Sequence, residues 1–249
     1  MSKPKIAVFS LTSCEGCSLQ ILNCEDELPD ILNHVEIVNF REAVSNRSDD
    51  YLIAFVDGAV STPSDVEEIK EIRSHAAILV AIGACACTGG LNVMKNFKGL
   101  DYCLKRVYGD KANVFKTIDA QPIDAVVKVD LKIHGCPMPK SEFLEVVRAV
   151  LVGRKPRIPN YPVCVECKQR GNVCLWLKKK TCLGVVARAG CEAICPSYLS
   201  GCVACRGLID EPNDNACKEI MAEFGLTMEQ ILKEFQLYNG FYPVAKESK

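Results

Sequence analysis

At 249 residues, with 49% hydrophobic and 24% charged positions and a formal net charge of −1, the chain can build a substantial core in one large or two small domains. That balance provides no basic face for nucleic acid, and no run approaches the roughly 18–20 consecutive apolar residues of a membrane helix. Sixteen cysteines behind an N-terminus that runs straight into a strand-like segment, without a leader pattern, imply a reducing cytoplasm and thiols on ligand duty.

Lys5 to Leu11 is a short apolar run of the composition expected for a strand buried on both faces, and it ends at Thr12-Ser13-Cys14-Glu15-Gly16-Cys17. Ser18 to Leu28 follows as a helix with Pro29 as its stop. Val35 to Phe40 and Leu52 to Val56 are further strands, and Val66, Ile69 and Ile72 make an amphipathic helix of Pro63 to Ser74. Ala77 to Ile82 is a buried strand that runs into Gly83-Ala84-Cys85-Ala86-Cys87-Thr88-Gly89-Gly90. A short helix is expected near Asp101 to Tyr108, and Val126 to His134 supplies the last strand, ending at Gly135-Cys136-Pro137. Ser141 caps a final helix to Leu151. Strands alternating with helices argue for an open, doubly wound α/β sheet over residues 1–155, closed off by Pro156, Pro159 and Pro162.

The next segment, 156–207, holds eight cysteines between positions 164 and 205. They read as two tandem fours: Cys164, Cys167, Cys174 and Cys182, then Cys191, Cys195, Cys202 and Cys205. A segment this short cannot bury enough apolar surface to hold itself together, so cysteine is the staple. Disulfides need an oxidising compartment, and zinc could use the Cys-x-x-Cys pairs at 164/167 and 202/205. Iron–sulfur clusters are favoured by Pro196 directly after Cys195 and by a third cysteine set elsewhere.

That third set is Cys14, Cys17, Cys85 and Cys136, each just past a predicted strand end, where doubly wound sheets bind ligands. Gly16, Gly83, Gly89, Gly90 and Gly135 beside them permit close backbone approach. Cys87 is ambiguous, whereas Cys24, Cys103 and Cys217 on predicted helices, and His34, His75 and His134, read as packing or surface residues. No dinucleotide or Walker glycine pattern, triad or paired strand-end carboxylates are present in the sequence. After position 207 a tail, 208–249, offers two helices; Thr227 and Gln230 form a capping box before Ile231, Leu232 and Phe235 on one face.

Cys14-Glu15-Gly16-Cys17, Gly83-Ala84-Cys85 with Gly89-Gly90, and Gly135-Cys136-Pro137 resemble the N-terminal, flavodoxin-like domain of nickel–iron hydrogenase small subunits. Cys182-Leu183-Gly184 to Gly190-Cys191 and Cys202-Val203-Ala204-Cys205-Arg206-Gly207 resemble that family's small, irregular cluster domain, and the cytoplasmic sulfhydrogenase (delta-subunit) branch is the nearest in character. The resemblance implies a proximal 4Fe–4S cluster on Cys14, Cys17, Cys85 and Cys136. It implies a distal one on Cys164, Cys167, Cys174 and Cys182, and a medial one on Cys191, Cys195, Cys202 and Cys205. Exported relatives carry histidine where this chain has Cys164 and lack a thiolate where it has Cys195, so three all-cysteinyl clusters are expected, toward the low end of the roughly −700 to +450 mV range.

The implied role is an electron relay between the nickel–iron centre of a partner large subunit and a flavin (FAD or FMN) or iron–sulfur partner linked to NAD(P). Nothing in this chain resembles the nickel-binding motifs. Glu15 is either a proton carrier or an interface carboxylate, and Lys178, Lys179 and Lys180 either steer an acidic electron partner or form a solvated turn. Two rivals are a complex I-like iron–sulfur subunit, whose related domain uses adjacent cysteines where this chain inserts Ala86 between Cys85 and Cys87, and a zinc-stabilised interaction protein.

Overall fold

A computed structural model describes residues 3–45 and 47–242, so the two N-terminal residues, Asn46 and the last seven of the tail lie outside it. Five strands form one parallel sheet: β1 (Lys5–Ser10), β2 (Glu36–Phe40), β3 (Ile53–Asp57), β4 (Ile78–Ile82) and β5 (Leu131–Ile133), in spatial order 2-1-3-4-5. This is the flavodoxin-like doubly wound order, whose switch point lies between β1 and β3. Alternating residues explain why both faces are covered. Ile6, Val8, Phe55, Val80 and Ile82 meet α1 (Gly16–Leu22) and α7 (Lys140–Leu151) on one side. Ala7, Ala54, Val56, Leu79 and Ala81 meet α3 (Pro63–His75) and α4 (Gly83–Thr88) on the other. Each large side chain so buried contributes about 1.5–3 kcal/mol.

Three local expectations need correction. Ser18 to Leu28 is not one helix: α1 ends at Leu22 with Asn23 as its C-cap, and Pro29 lies near the start of α2 (Leu28–His34), where a missing N–H costs nothing. Of Val126 to His134 only Leu131–Ile133 is strand, because Val126, Val127 and Val129 pack beside Ile69 while the Asp130 carboxylate accepts from Leu79 N at 2.9 Å. Ser141 lies inside α7, whose N-cap is Pro139.

At the α3 start, Thr62 and Asp65 form a reciprocal capping box. Asp65 is buried and also accepts from Ser61 N (2.8 Å) and Thr12 Oγ1 (2.9 Å), so it ties the loop after β3 to the loop carrying Cys14. Asp65→Ala removes these charge-assisted bonds together, and a stability loss of about 2–3 kcal/mol is expected as a lower denaturation midpoint.

Beyond β4 the short helices α5 (Met94–Lys98) and α6 (Leu100–Tyr108) lead back towards β5, and an irregular stretch from 154 to 162 follows α7. The cysteine-rich part contains only α8 (Val163–Gln169), α9 (Ile194–Ser197) and short 3-10 turns. Its core is completed from the tail. Met221 of α10 (Asp214–Glu223) and Ile231 and Phe235 of α11 (Met228–Asn239) pack with Val163, Leu183, Val186 and Ala187. The Thr227–Gln230 box starts α11 as expected, but Leu232 stays on its outer side. Among the described residues no helix is long and apolar enough to cross a membrane.

Candidate metal centres

The carboxyl ends of β1, β4 and β5 deliver Cys14 and Cys17, Cys85 and Cys136 to one place. Ala84 N donates to Gly135 O at 2.6 Å, joining the loops after β4 and β5. Gly16 sits where a side chain would meet Cys14 Sγ at 3.4 Å and Pro137 Cβ at 3.9 Å, so the first loop closes on the last. Burial pushes the Cys85 thiol up to about 12, reinforced by Asp57 and then by Cys136 and Cys14. Cys17 is raised by burial and Asp57, with Cys85 adding to it. Cys14 and Cys136 are exposed and Cys17 is buried, so the group opens towards solvent on one side.

The other thiols separate from this group. Cys87 is fully buried behind the sheet edge with its Sγ 3.5 Å from Ala81 O and 3.6 Å from Ile133 O. Cys24 donates to Gln20 O at 3.4 Å, Cys103 to Lys95 O at 3.9 Å, and Cys217 lies in the core of the cysteine-rich part.

In the tandem segment the thiol neighbours of Cys164 and of Cys205 lie within the fours of the sequence, whereas Cys202 and Cys182 meet across them. Burial raises Cys164 to about 11, with Cys182, Cys167 and Cys174 next in effect. Burial likewise raises Cys205 to about 11, with Cys191 and Cys195 adding to it. Cys202 is raised by burial, then by Cys182, Cys205 and Cys191. Gly184 leaves room beside the first four, since a Cβ there would stand 3.3 Å from Cys182 Sγ and 3.6 Å from Cys164 Sγ. Glu166, between Cys164 and Cys167, accepts from Gly190 N (2.8 Å) and Ala193 N (3.1 Å), so the carrier of one four shapes the loop of the other. Lys179 and Lys180 line a recess of about 530 Å³ with Cys202 and Glu234, and Lys180 Nζ donates to Leu199 O at 2.8 Å.

The backbone N–H of Cys202 donates to Cys182 Sγ at 3.3 Å, so the 191–205 four touches the 164–182 four. Arg206, next to Cys205, donates to His134 O at 2.6 Å, two residues before Cys136, and joins the 191–205 four to the loop after β5.

Among the described residues no three His, Cys, Asp or Glu groups converge on a single ion. Cys136 and Cys14 act on Cys85, Cys182, Cys167 and Cys174 on Cys164, and Cys191 and Cys195 on Cys205, and burial raises Cys85, Cys164 and Cys205 above the usual thiol range. Such a donor set fits a cationic multi-iron core, which draws off thiol protons and compensates the buried thiolates.

Around these groups Asp57 and Glu142 carry no local sequence signal, whereas Arg206 and Glu15 each flank a cysteine. Asp57 at the end of β3 is buried under Cys17; burial pushes it up to about 6 although Gly58, Ser18 and Cys17 donate backbone N–H groups to it. Arg206 is buried beside Cys205, donating to Ala189 O (2.7 Å) and His134 O (2.6 Å) and pairing with the buried Glu142 of α7. Glu15 has left-handed backbone and pairs with Arg41.

The model of the NADH ubiquinone oxidoreductase 20 kDa subunit family matches residues 14–150. Sulfhydrogenase 2 subunit delta of Pyrococcus furiosus is 38% identical over 237 residues, covering 94% of this chain and 98% of that one. The iron–sulfur subunit of the F420-non-reducing hydrogenase of Archaeoglobus profundus is 25% identical, covering 93% and 92%. A solved NAD+-reducing nickel–iron hydrogenase in its H2-reduced state contains a chain that superposes with a TM-score of 0.59 at 27% identity, over 64% of this chain and 96% of that one.

Proposed function

Because the chain belongs to the family of hydrogenase and sulfhydrogenase small subunits, we propose that it is the relay subunit of a nickel–iron hydrogenase with three cluster sites. An electron-transfer or accessory role in a hydrogenase or related redox complex follows from the family itself. The finer reading assigns Cys14, Cys17, Cys85 and Cys136 to a proximal 4Fe–4S cluster. It assigns Cys191, Cys195, Cys202 and Cys205 to a medial one, and Cys164, Cys167, Cys174 and Cys182 to a distal one. When bound, these clusters supply one-electron carriers whose potentials depend on charge, solvent exposure and hydrogen bonds to sulfur.

The observation that supports the reading is a pair of contacts in series: Arg206, next to Cys205, donates to His134 O at 2.6 Å, two residues before Cys136, and the Cys202 N–H donates to Cys182 Sγ at 3.3 Å. Each joins the loop of one proposed site to the loop of the next. The chain's own residues do the rest. Leu183 and Val186 are buried in the core of the cysteine-rich part, and Glu166 fixes the loop from 190 to 193. At the proximal mouth the Arg41 pairing holds Glu15 as an anchored interface carboxylate. The partners in this reading are a large subunit with the nickel–iron centre at the proximal side and a flavin- or iron–sulfur-containing subunit linked to NAD(P) beside the distal four, where Lys178–Lys180 favour an acidic surface.

Elemental analysis of the complex isolated without oxygen tests this. About twelve irons per copy of this chain are expected, after subtraction of iron carried by partner subunits, with nickel in a co-purifying one. Iron without nickel would remove the hydrogenase assignment, and zinc in place of iron would remove the relay.

A further inference from the structure

Beyond the helix that carries Cys85 the chain holds apolar side chains out to solvent. Leu91, Met94 and Phe97 are 44%, 45% and 49% exposed, and Val107 of α6 is 70% exposed. Tyr108 and Phe115 stack with ring centroids 3.9 Å apart, yet both remain exposed. A contiguous apolar patch on a soluble chain marks an interaction surface. Its root is fixed. Lys95 Nζ donates to Ser61 Oγ at 2.6 Å and to Thr117 Oγ1, and the Asn96 amide donates to Ala120 O and accepts from Ala120 N, both at 2.9 Å. Asn92 Nδ2 donates to Thr12 O at 3.5 Å, two residues before the exposed Cys14, so the patch adjoins the open side of the first thiol group. Between α5 and α11 it dips into a groove of about 320 Å³ lined by Met94, Phe97, Gln236 and Leu237, with Lys98 and Lys233 also in its walls. Phe97 lies over the end of α11, where a Cβ at Gly240 would stand 2.7 Å from its Cζ. A surface preorganised in this way loses little freedom on binding.

Charge selects the occupant. Residues 91–116 carry six cations and two carboxylates in a chain whose net charge is −1. Lys95 is spent on hydroxyl groups, and no ion pair among the described residues involves Lys98, Lys105, Arg106, Lys111 or Lys116. A second copy in a twofold contact would set this basic patch against itself. A lipid surface would meet the cations but leave a recess between two helices unfilled. An acidic protein surface bearing an apolar anchor satisfies both the charge and the groove.

We propose that the groove between α5 and α11 docks the subunit that covers the proximal mouth, receiving from it a large apolar side chain flanked by carboxylates. This rests on the reading given above, in which that subunit holds the nickel–iron centre. A stable interface buries about 800 Å² on each partner, so a subunit seated over Cys14 and Cys136 extends onto the surface beside them. Leu91, Met94 and Phe97 are that surface on the side of Thr12. The tail thereby acquires a role besides packing, since α11 supplies one wall of the groove.

The test is zero-length carbodiimide cross-linking of the intact complex, which joins lysine amines to carboxylates in contact, together with gel filtration of complexes carrying Lys98→Glu or Phe97→Ala. Lys98 is expected to link to a carboxylate of the nickel-containing subunit. Each variant is expected to raise the concentration at which nickel separates from this chain by about tenfold or more, with the iron carried by this chain unchanged. The Lys98→Glu deficit should shrink with added salt, whereas that of Phe97→Ala should not. In a complex that holds nickel, links to a second copy or to a nickel-free subunit, the absence of links, or variants that dissociate like the unsubstituted protein overturn the proposal. Should Phe97→Ala lose iron or unfold at lower temperature, Lys98→Glu, on an exposed side chain, decides alone. A complex without nickel would instead count against the hydrogenase reading, and the linking of Lys98 to another subunit's carboxylates, or its failure, still decides the groove.

Discussion

Gly83→Ala is expected to remove about four of about twelve irons while leaving the sheet folded. Gly83 adopts φ +83, and a Cβ built there collides with Cys17 Sγ. An L-residue in this conformation costs about 1–2 kcal/mol, a loss the β4 and α4 core can absorb. The collision has no such remedy. Cys17 is buried against Ile21 and the end of β4, so its sulfur can yield only by leaving the place where Cys14, Cys85 and Cys136 converge. On the proposed three-cluster assignment the tandem fours lie on separate loops and are expected to keep their irons. Gly153→Ala is the control, because Gly153 has φ +65 and open space where a Cβ would sit. It carries the same conformational cost and should retain full iron. Iron analysis with thermal unfolding separates the outcomes: equal iron loss in both variants would mean that backbone strain, not the sulfur position, governs the proximal site.

What the sequence makes legible follows from how locally each signal is encoded. The strands are readable because a parallel sheet covered on both faces leaves uninterrupted apolar runs, as in Ile78–Ile82. Three loops of cysteine can be assigned to one sheet edge because doubly wound topology forces strand ends together whatever lies between them. The tandem fours are a reading of cysteine spacing alone. Pro29 misleads because proline serves both after and near the start of a helix, and only the break at Cys24–Glu27 distinguishes the two. Val126–Val129 mislead because an apolar run resembles a strand even when it packs as an irregular segment beside Ile69. The residues that organise the thiols are beyond reach for another reason. Nothing in the immediate neighbours of Asp57 and Glu142 marks them, and although Arg206 follows Cys205, its partner Glu142 lies 64 positions away.

Arg206→Leu is expected to cost about 3–5 kcal/mol and to loosen the cysteine-rich part from the sheet. Arg206 and Glu142 are both buried, and the arginine also satisfies the carbonyls of Ala189 and His134. Removing the guanidinium strands a carboxylate whose second oxygen already has no partner. Burial pushes Glu142 up to about 7 even against the opposing pull of Arg206 and, farther off, Arg188, while Glu166 adds to the rise. Without Arg206 the folded-state value is higher still. A carboxyl raised above its unfolded value contributes stability below the unfolded value, and that contribution is lost as pH rises through the folded one. The deficit of the variant should therefore be smaller near about pH 6 than near about pH 8, read as the difference in unfolding midpoint from the unsubstituted protein. Adding Glu142→Leu removes the stranded charge and should restore part of the loss and abolish its pH dependence, leaving the cost of two unsatisfied carbonyls, about 1 kcal/mol or more each. A single and a double variant of equal stability at both pH values would place the loss in the Ala189 and His134 carbonyls. The ion pair between α7 and the turn of Cys205 would then not be what holds the two parts in register.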